Sequence, residues 1–93
     1  MHISLKKFGT TLVSRPSGKE PFLAFQPILK DAKTDESIEI DFDGVIVLSP
    51  SWADEFITPL QEKYKNSVVF KNTENSSVKA TLEMLEELRK NNL

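Results

Sequence analysis

Two serines and a run of carboxylates hold most of the chemistry available to this sequence. Ser49 and Ser51 flank Pro50 within Asp41-Phe-Asp-Gly44-Val-Ile-Val-Leu48-Ser-Pro-Ser51-Trp-Ala-Asp-Glu-Phe56. A strand, a hydroxyl-rich turn and a helix N-terminus in that order would present backbone N–H groups and serine hydroxyls to an anion. A phosphoryl group on Ser49 or Ser51 would sit against the positive end of the helix dipole. The plainer role for both serines is N-capping, worth about 0.5–2 kcal/mol each. Asp41 and Asp43 stand two apart on one strand face, where neighbouring carboxylates can share a metal ion or divide their pKa values for acid–base work. A solvated sheet face followed by a turn accounts for the pair with fewer assumptions.

Other chemistries are excluded by missing residues. The chain has no Cys, which removes disulfides, zinc–thiolate sites and thiol nucleophiles together. His2 is the single histidine and lies beside the N-terminus, a poor third member for a Ser–His–Asp triad. Gly9, Gly18 and Gly44 fit neither a dinucleotide-binding loop nor a P-loop. An aspartyl-phosphate receiver needs an acidic pair after the first strand, where this chain has Lys6, Lys7 and Phe8. No catalytic residue, metal ligand or cofactor is therefore assigned.

The elements that must hold Asp41–Phe56 in place are written in the hydrophobic pattern. Ile38, Ile40 and Phe42 alternate with Glu39, Asp41 and Asp43, which predicts a strand over Ile38–Phe42 with one packed and one wet face. Val45–Leu48 is a short apolar run, and Val68–Phe70 is another. Trp52, Phe56, Leu60 and Tyr64 recur every four residues, predicting a helix over Ser51–Lys65 with a bend at Pro59. Val78, Leu82, Leu85 and Leu88 predict a last helix over Ser77–Asn91, with Lys79–Glu83 and Glu86–Lys90 as i,i+4 pairs. Phe22, Leu23, Phe25, Ile28, Leu29 and Ala32 predict an earlier helix from Pro21, kinked at Pro27 or restricted there to two shorter turns. Pro16, Ser17 and Gly18 read as a loop before it, and Lys30–Ser37 as a turn after it. Upstream, Ile3–Phe8 reads weakly as a strand, Gly9 as a turn and Thr10–Arg15 as a second short strand or an extended lead into a helix. Strands alternating with helices imply an α/β fold with a small, mixed but mostly parallel sheet of about four strands and three helices.

Ninety-three residues suffice for one such domain, residues 1–93, but not for a deep substrate cavity. Charge is uneven: residues 1–34 carry +4, residues 35–62 carry −8 and residues 63–93 carry +2. An acidic centre offers no phosphate-binding stripe, so no nucleic-acid partner is expected. It could meet a basic partner or remain solvated surface. No apolar run reaches the roughly 18–20 residues of a membrane span, and the N-terminus lacks a signal-peptide core, so a cytoplasmic protein is expected.

The segment Asp41–Phe56 resembles the central signature of STAS domains, the anti-sigma-factor-antagonist fold, and more closely the small bacterial STAS-like domains of unassigned function. The resembling elements are Phe8-Gly9, Ser14-Arg15, Asp41–Val45, Ser49–Glu55 and the Asn72 loop, which together span nearly the whole chain. The resemblance implies a non-enzymatic, regulatory protein-interaction module. In anti-sigma antagonists an ATPase-type kinase phosphorylates a serine at this turn. The aligned position here is Pro50, with hydroxyls on either side. The resemblance makes Ser49 and Ser51 the candidate switch or anion site and a histidine-kinase-type ATPase the expected partner. Asp41, Asp43, Trp52, Asp54 and Glu55 would form the partner surface. Two alternatives stand beside this one: a small oligomeric structural or defence-associated protein, and a metal-dependent hydrolase using Asp41, Asp43 and Asp54.

Overall fold

The computed structural model describes residues 1–30, 37–64 and 67–91. The expected turn over Lys30–Ser37, and the expected helix ends at Ala32 and Lys65, fall wholly or largely outside these residues. In chain order the elements are β1 (His2–Ser4), a 3-10 turn (Leu5–Phe8), β2 (Thr11–Leu12), α1 (Arg15–Lys30), β3 (Ile38–Asp41), β4 (Val47–Leu48), α2 (Pro50–Tyr64), β5 (Val68–Lys71) and α3 (Ser76–Asn91). The α/β reading holds, with every strand pairing among the described residues parallel.

Strand β3 is central. It pairs with β1 on one side (Ile3 opposite Ile40) and with β5 on the other (Ile40 opposite Phe70). Its alternation is as the sequence predicts: Ile38, Ile40 and the following Phe42 are buried, while Glu39 and Asp41 are partly exposed on the other face. Beyond Asp41 the sheet is interrupted on two neighbouring strands at once. One chain leaves through Leu5–Thr10 and the other through Phe42–Ile46, and they rejoin as β2 beside β4, Leu12 opposite Leu48. Thr10 marks the re-entry, its carbonyl accepting from the N–H groups of Ile46 (2.8 Å) and Val47 (3.1 Å). This double excursion is why five short strands stand where about four were expected, and why the strand read over Ile3–Phe8 ends at Ser4.

The first helix starts six residues earlier than its apolar period suggests. Ser14 is its N-cap: Ser14 Oγ accepts from the Ser17 N–H (3.2 Å), and the Ser14 carbonyl accepts from the Gly18 N–H (3.2 Å). Pro16 therefore lies in the first turn, where the missing N–H costs no helical bond. Gly18 is there for close approach, since a Cβ on it would collide with the Trp52 carbonyl oxygen and lie 3.2 Å from Trp52 Cα. Neither Pro27 nor Pro59 divides its helix.

That contact seats α1 on α2 over an aromatic cluster. Trp52 and Phe56 lie 5.1 Å apart between ring centroids, Phe8 is 5.7 Å from Phe56, and Phe25 meets Phe8 edge-on at 5.8 Å. The predicted α2 stripe is the core: Trp52, Ala53, Phe56, Ile57 and Leu60 are buried. Helix α3 buries Val78, Thr81 and Leu85 but leaves Leu88 half exposed, and among the described residues its ion pair is Arg89–Glu86 (3.2 Å) in place of the expected Lys79–Glu83 and Glu86–Lys90. Among the described residues no helix is long and apolar enough to cross a membrane.

The Gly18 contact sets opposing effects against each other. Alanine is the better helix former by about 1 kcal/mol, but overpacking a helix crossing costs about 1–3 kcal/mol. We expect Gly18→Ala to lower the urea midpoint. A raised midpoint would mean the two helices separate freely.

Candidate functional site

The site is assembled where β4 hands the chain to α2. Ser49 caps the helix, its Oγ accepting from the Trp52 N–H (3.2 Å) and its carbonyl from the Ala53 N–H (3.1 Å). Pro50 then occupies the first helical position, which suits its fixed φ. Ser51, one residue on, is partly exposed, and its hydroxyl makes no hydrogen bond among the described residues. The two candidate serines therefore differ: Ser49 is engaged in holding the helix and Ser51 is open.

The junction is held from three sides. Its Ser49 N–H donates to the Leu12 carbonyl of β2 (2.8 Å). On its other edge Leu48 has no third strand to pair with among the described residues, and α3 supplies side chains instead. Ser77 Oγ accepts from the Leu48 N–H (3.0 Å) and donates to the Leu48 carbonyl (3.3 Å), to which Thr81 Oγ1 also donates (2.6 Å). Asn75 completes this seam. Its Oδ1 caps α3 by accepting from Ser77 N–H (2.8 Å) and Val78 N–H (3.1 Å), while its Nδ2 donates to the Ile46 carbonyl (3.1 Å). The third side is Arg15, at the start of α1, which donates to Asp54 Oδ2 (2.9 Å) and Glu55 Oε1 (3.3 Å) on the second turn of α2. Asp54 first and then Glu55 hold the pKa of the Arg15 guanidinium above its ordinary value.

Asp41 forms a separate cluster at the C-terminal end of β3. Its Oδ1 accepts from Asn72 Nδ2 (2.7 Å) and from the Asp43 N–H (3.0 Å), and its Oδ2 lies 3.0 Å from His2 Nε2. The Asn72 amide above all, then the Asp43 N–H, then His2, hold the Asp41 carboxyl below the ordinary range, against a burial effect of opposite sign. Asn72 reaches it from a left-handed backbone conformation, φ 58°, which asparagine tolerates better than most residues.

The five residues expected to form one partner surface do not do so. Trp52 is 0 % exposed and belongs to the core, so it cannot meet a partner. The four-residue stripe of α2 and the motif position make opposite demands on Trp52, and packing against Phe8 and Phe56 decides for the stripe. Asp43 lies in the turn after β3, not on the strand face beside Asp41. Asp54 and Glu55 are committed to Arg15, and no hydrogen bond or ion pair among the described residues joins them to the Asp41 cluster. Nor, among the described residues, do three His, Asp or Glu side chains gather as a metal would need. Sequence reasoning missed the Asn75–Ser77–Thr81 seam. Arg15 was noticed only within the Ser14-Arg15 element, without its partners.

Residues 25–78 match the family described as a STAS-like domain of unknown function, more than half of the chain, and the chain belongs to that family. The match runs from the middle of α1 to the first turn of α3, so it contains the whole β3–β4–α2–β5 unit but neither Phe8-Gly9 nor Ser14-Arg15. No curated protein and no solved structure matches the chain.

Two measurements check this geometry. Ser49→Ala should cost about 1 kcal/mol of stability through the lost cap, whereas Ser51→Ala should leave stability within about 0.5 kcal/mol. Asp41 has a lowered pKa in the folded state, so its contribution is present above the unfolded carboxyl value of about 3.9 and is lost as pH falls through the folded value. Denaturation midpoints should therefore fall less steeply with acid below about pH 4 in Asp41→Asn than in the wild type.

Proposed function

We propose that this chain is a non-enzymatic regulatory module of the bacterial cytoplasm that works by binding another protein through the start of α2. One observation carries the reading: Pro50 and the unengaged Ser51 stand on a shoulder whose surroundings are all committed to structure. Ser49 caps the helix, Leu48 is sealed by Ser77 and Thr81, and Asp54 and Glu55 are held by Arg15. A surface patch held by its neighbours in this way suits recognition, because little ordering entropy remains to be lost on binding.

Of the expected surface, Asp43 is exposed and Asp41, Asp54 and Glu55 are partly exposed, with the partly exposed Ser51 of the candidate switch site on the same helix as the last two. A histidine-kinase-type ATPase is the partner class that the STAS resemblance suggests. A charge added at Ser51 would lie on the helix face of Asp54 and Glu55, three and four residues on. It would repel their carboxylates and compete for Arg15, which gives modification a direct route to the α1–α2 clasp.

Affinity capture from the native host, followed by intact-mass and phosphosite analysis of what is eluted, tests this reading. The wild type should retain a partner carrying an ATPase domain, and Ser51→Asp should lose it. Identical retention by both proteins would end the proposal.

A further inference from the structure

Helix α3 carries apolar side chains that the core does not use. Its buried residues are Val78, Thr81 and Leu85, yet Met84 is 49 % and Leu88 52 % exposed, and Ala80 before them is exposed too. Ala80, Met84 and Leu88 recur every four residues, so they form a ridge along one flank of the helix with about 6 Å between successive members. A single surface leucine needs no explanation, but a contiguous row does. Two depressions border the ridge. One, of about 380 Å³, lies between Asp54, Thr58 and Glu62 of α2 and Leu85, Leu88 and Arg89 of α3. The other, of about 330 Å³, lies along α3 at Ala80, Glu83, Met84 and Glu87. The charge beside the ridge is mostly of one sign. Glu62, Glu83 and Glu87 make no ion pair among the described residues. Arg89 is the one base that lines either depression, and Glu86 already holds it at 3.2 Å. Lys79 and Lys90, on the same helix, line neither.

We propose that the Ala80–Met84–Leu88 ridge and the α2–α3 groove beside it dock a lysine- or arginine-rich amphipathic helix of a partner protein. Spacing selects a helix, because knobs one turn apart fit the holes between the i, i+3, i+4 and i+7 side chains of a second helix. Charge selects its composition. A helix whose apolar stripe covers Met84 and Leu88 brings its flanking side chains against Glu62 on one side and Glu83 and Glu87 on the other. The same charges act against a second copy of this chain. Packed antiparallel about a two-fold axis, two α3 ridges would set the Glu83 and Glu87 flank of one against that flank of the other. They also repel nucleic acid and anionic lipid. The surface uses neither Pro50 nor Ser51, so the inference stands apart from the proposed function.

NMR titration of the full chain with synthetic leucine–lysine peptides tests the proposal. One peptide places its leucines at the period of an amphipathic helix, a second has the same composition scrambled, and a third carries glutamate in place of lysine. We expect the patterned leucine–lysine peptide to shift the amides of Thr58–Glu62 and Ala80–Arg89, the scrambled one to bind about tenfold more weakly, and the glutamate peptide not to bind. Met84→Ser/Leu88→Ser should weaken the patterned peptide about tenfold, and Glu83→Gln/Glu87→Gln about three- to fivefold with a shallower salt dependence. All four positions are exposed, so both variants should keep the fold. Absence of shifts at millimolar peptide overturns the proposal, as does equal binding of the patterned and scrambled peptides or of the lysine and glutamate ones. So do shifts centred away from α3, at Asp41 or Ser51, and binding that both variants leave intact. Sedimentation velocity on the chain alone adds a last outcome: a dimer abolished by Met84→Ser/Leu88→Ser would make the occupant a second copy and overturn the basic helix.

Discussion

Adjacent strands of a sheet cannot leave it independently, because each satisfies the backbone groups of the other. This chain meets that constraint by breaking β1 and β3 together and re-forming them together as β2 and β4. The Thr10 carbonyl, bonded to two successive N–H groups, stitches the re-entry. Everything near the candidate site depends on it. The excursion carries Phe8 into the aromatic cluster, moves Asp43 off the sheet, and delivers Leu48 to a place where a helix rather than a strand lies on its outer side.

The consequence for the site is a division of labour between neighbouring hydroxyls and carboxylates. Ser49, Ser77 and Thr81 have the same functional group as Ser51, yet each is bonded to backbone that would otherwise be unsatisfied. Asp41 serves the C-terminal ends of β3 and β5, whereas Asp54 and Glu55 serve the α1–α2 contact. The acidic centre of the chain is therefore not one electrostatic patch. Its charges are distributed among separate structural tasks, and what remains for recognition is small and specific.

Much of the fold was legible because burial follows period. Ile38–Phe42, Trp52–Leu60 and Val78–Leu85 each carry a clear repeat, and each packs as the repeat requires. The start of α1 was not legible, because Pro16 and Gly18 look like breakers in isolation. Ser14 capping and the Trp52 carbonyl explain them, and the second of these is a tertiary contact that no local pattern encodes. The site was half legible for a similar reason. Ser49 as a cap follows from neighbours three residues away, but Arg15 with Asp54, or Asn75 with Ile46, joins residues some 30 to 40 apart. Trp52 is buried because the helical stripe, and not its place in the Ser49–Glu55 motif, decides which way it faces.

All strand pairs among the described residues are parallel, and the residues they bring together are far apart in the chain: His2 with Glu39, Thr11 with Val47, Ile38 with Val68. No tight hairpin can therefore act as a local nucleus. The ladders close large loops before any of them is rewarded, which places the chain among slower-folding small domains. Helices α1 and α2, with local hydrogen bonds and a shared aromatic contact, are the segments able to organise first. Until β3 finds both its neighbours, the apolar strands stay available to other chains, so folding is a vulnerable interval for this protein.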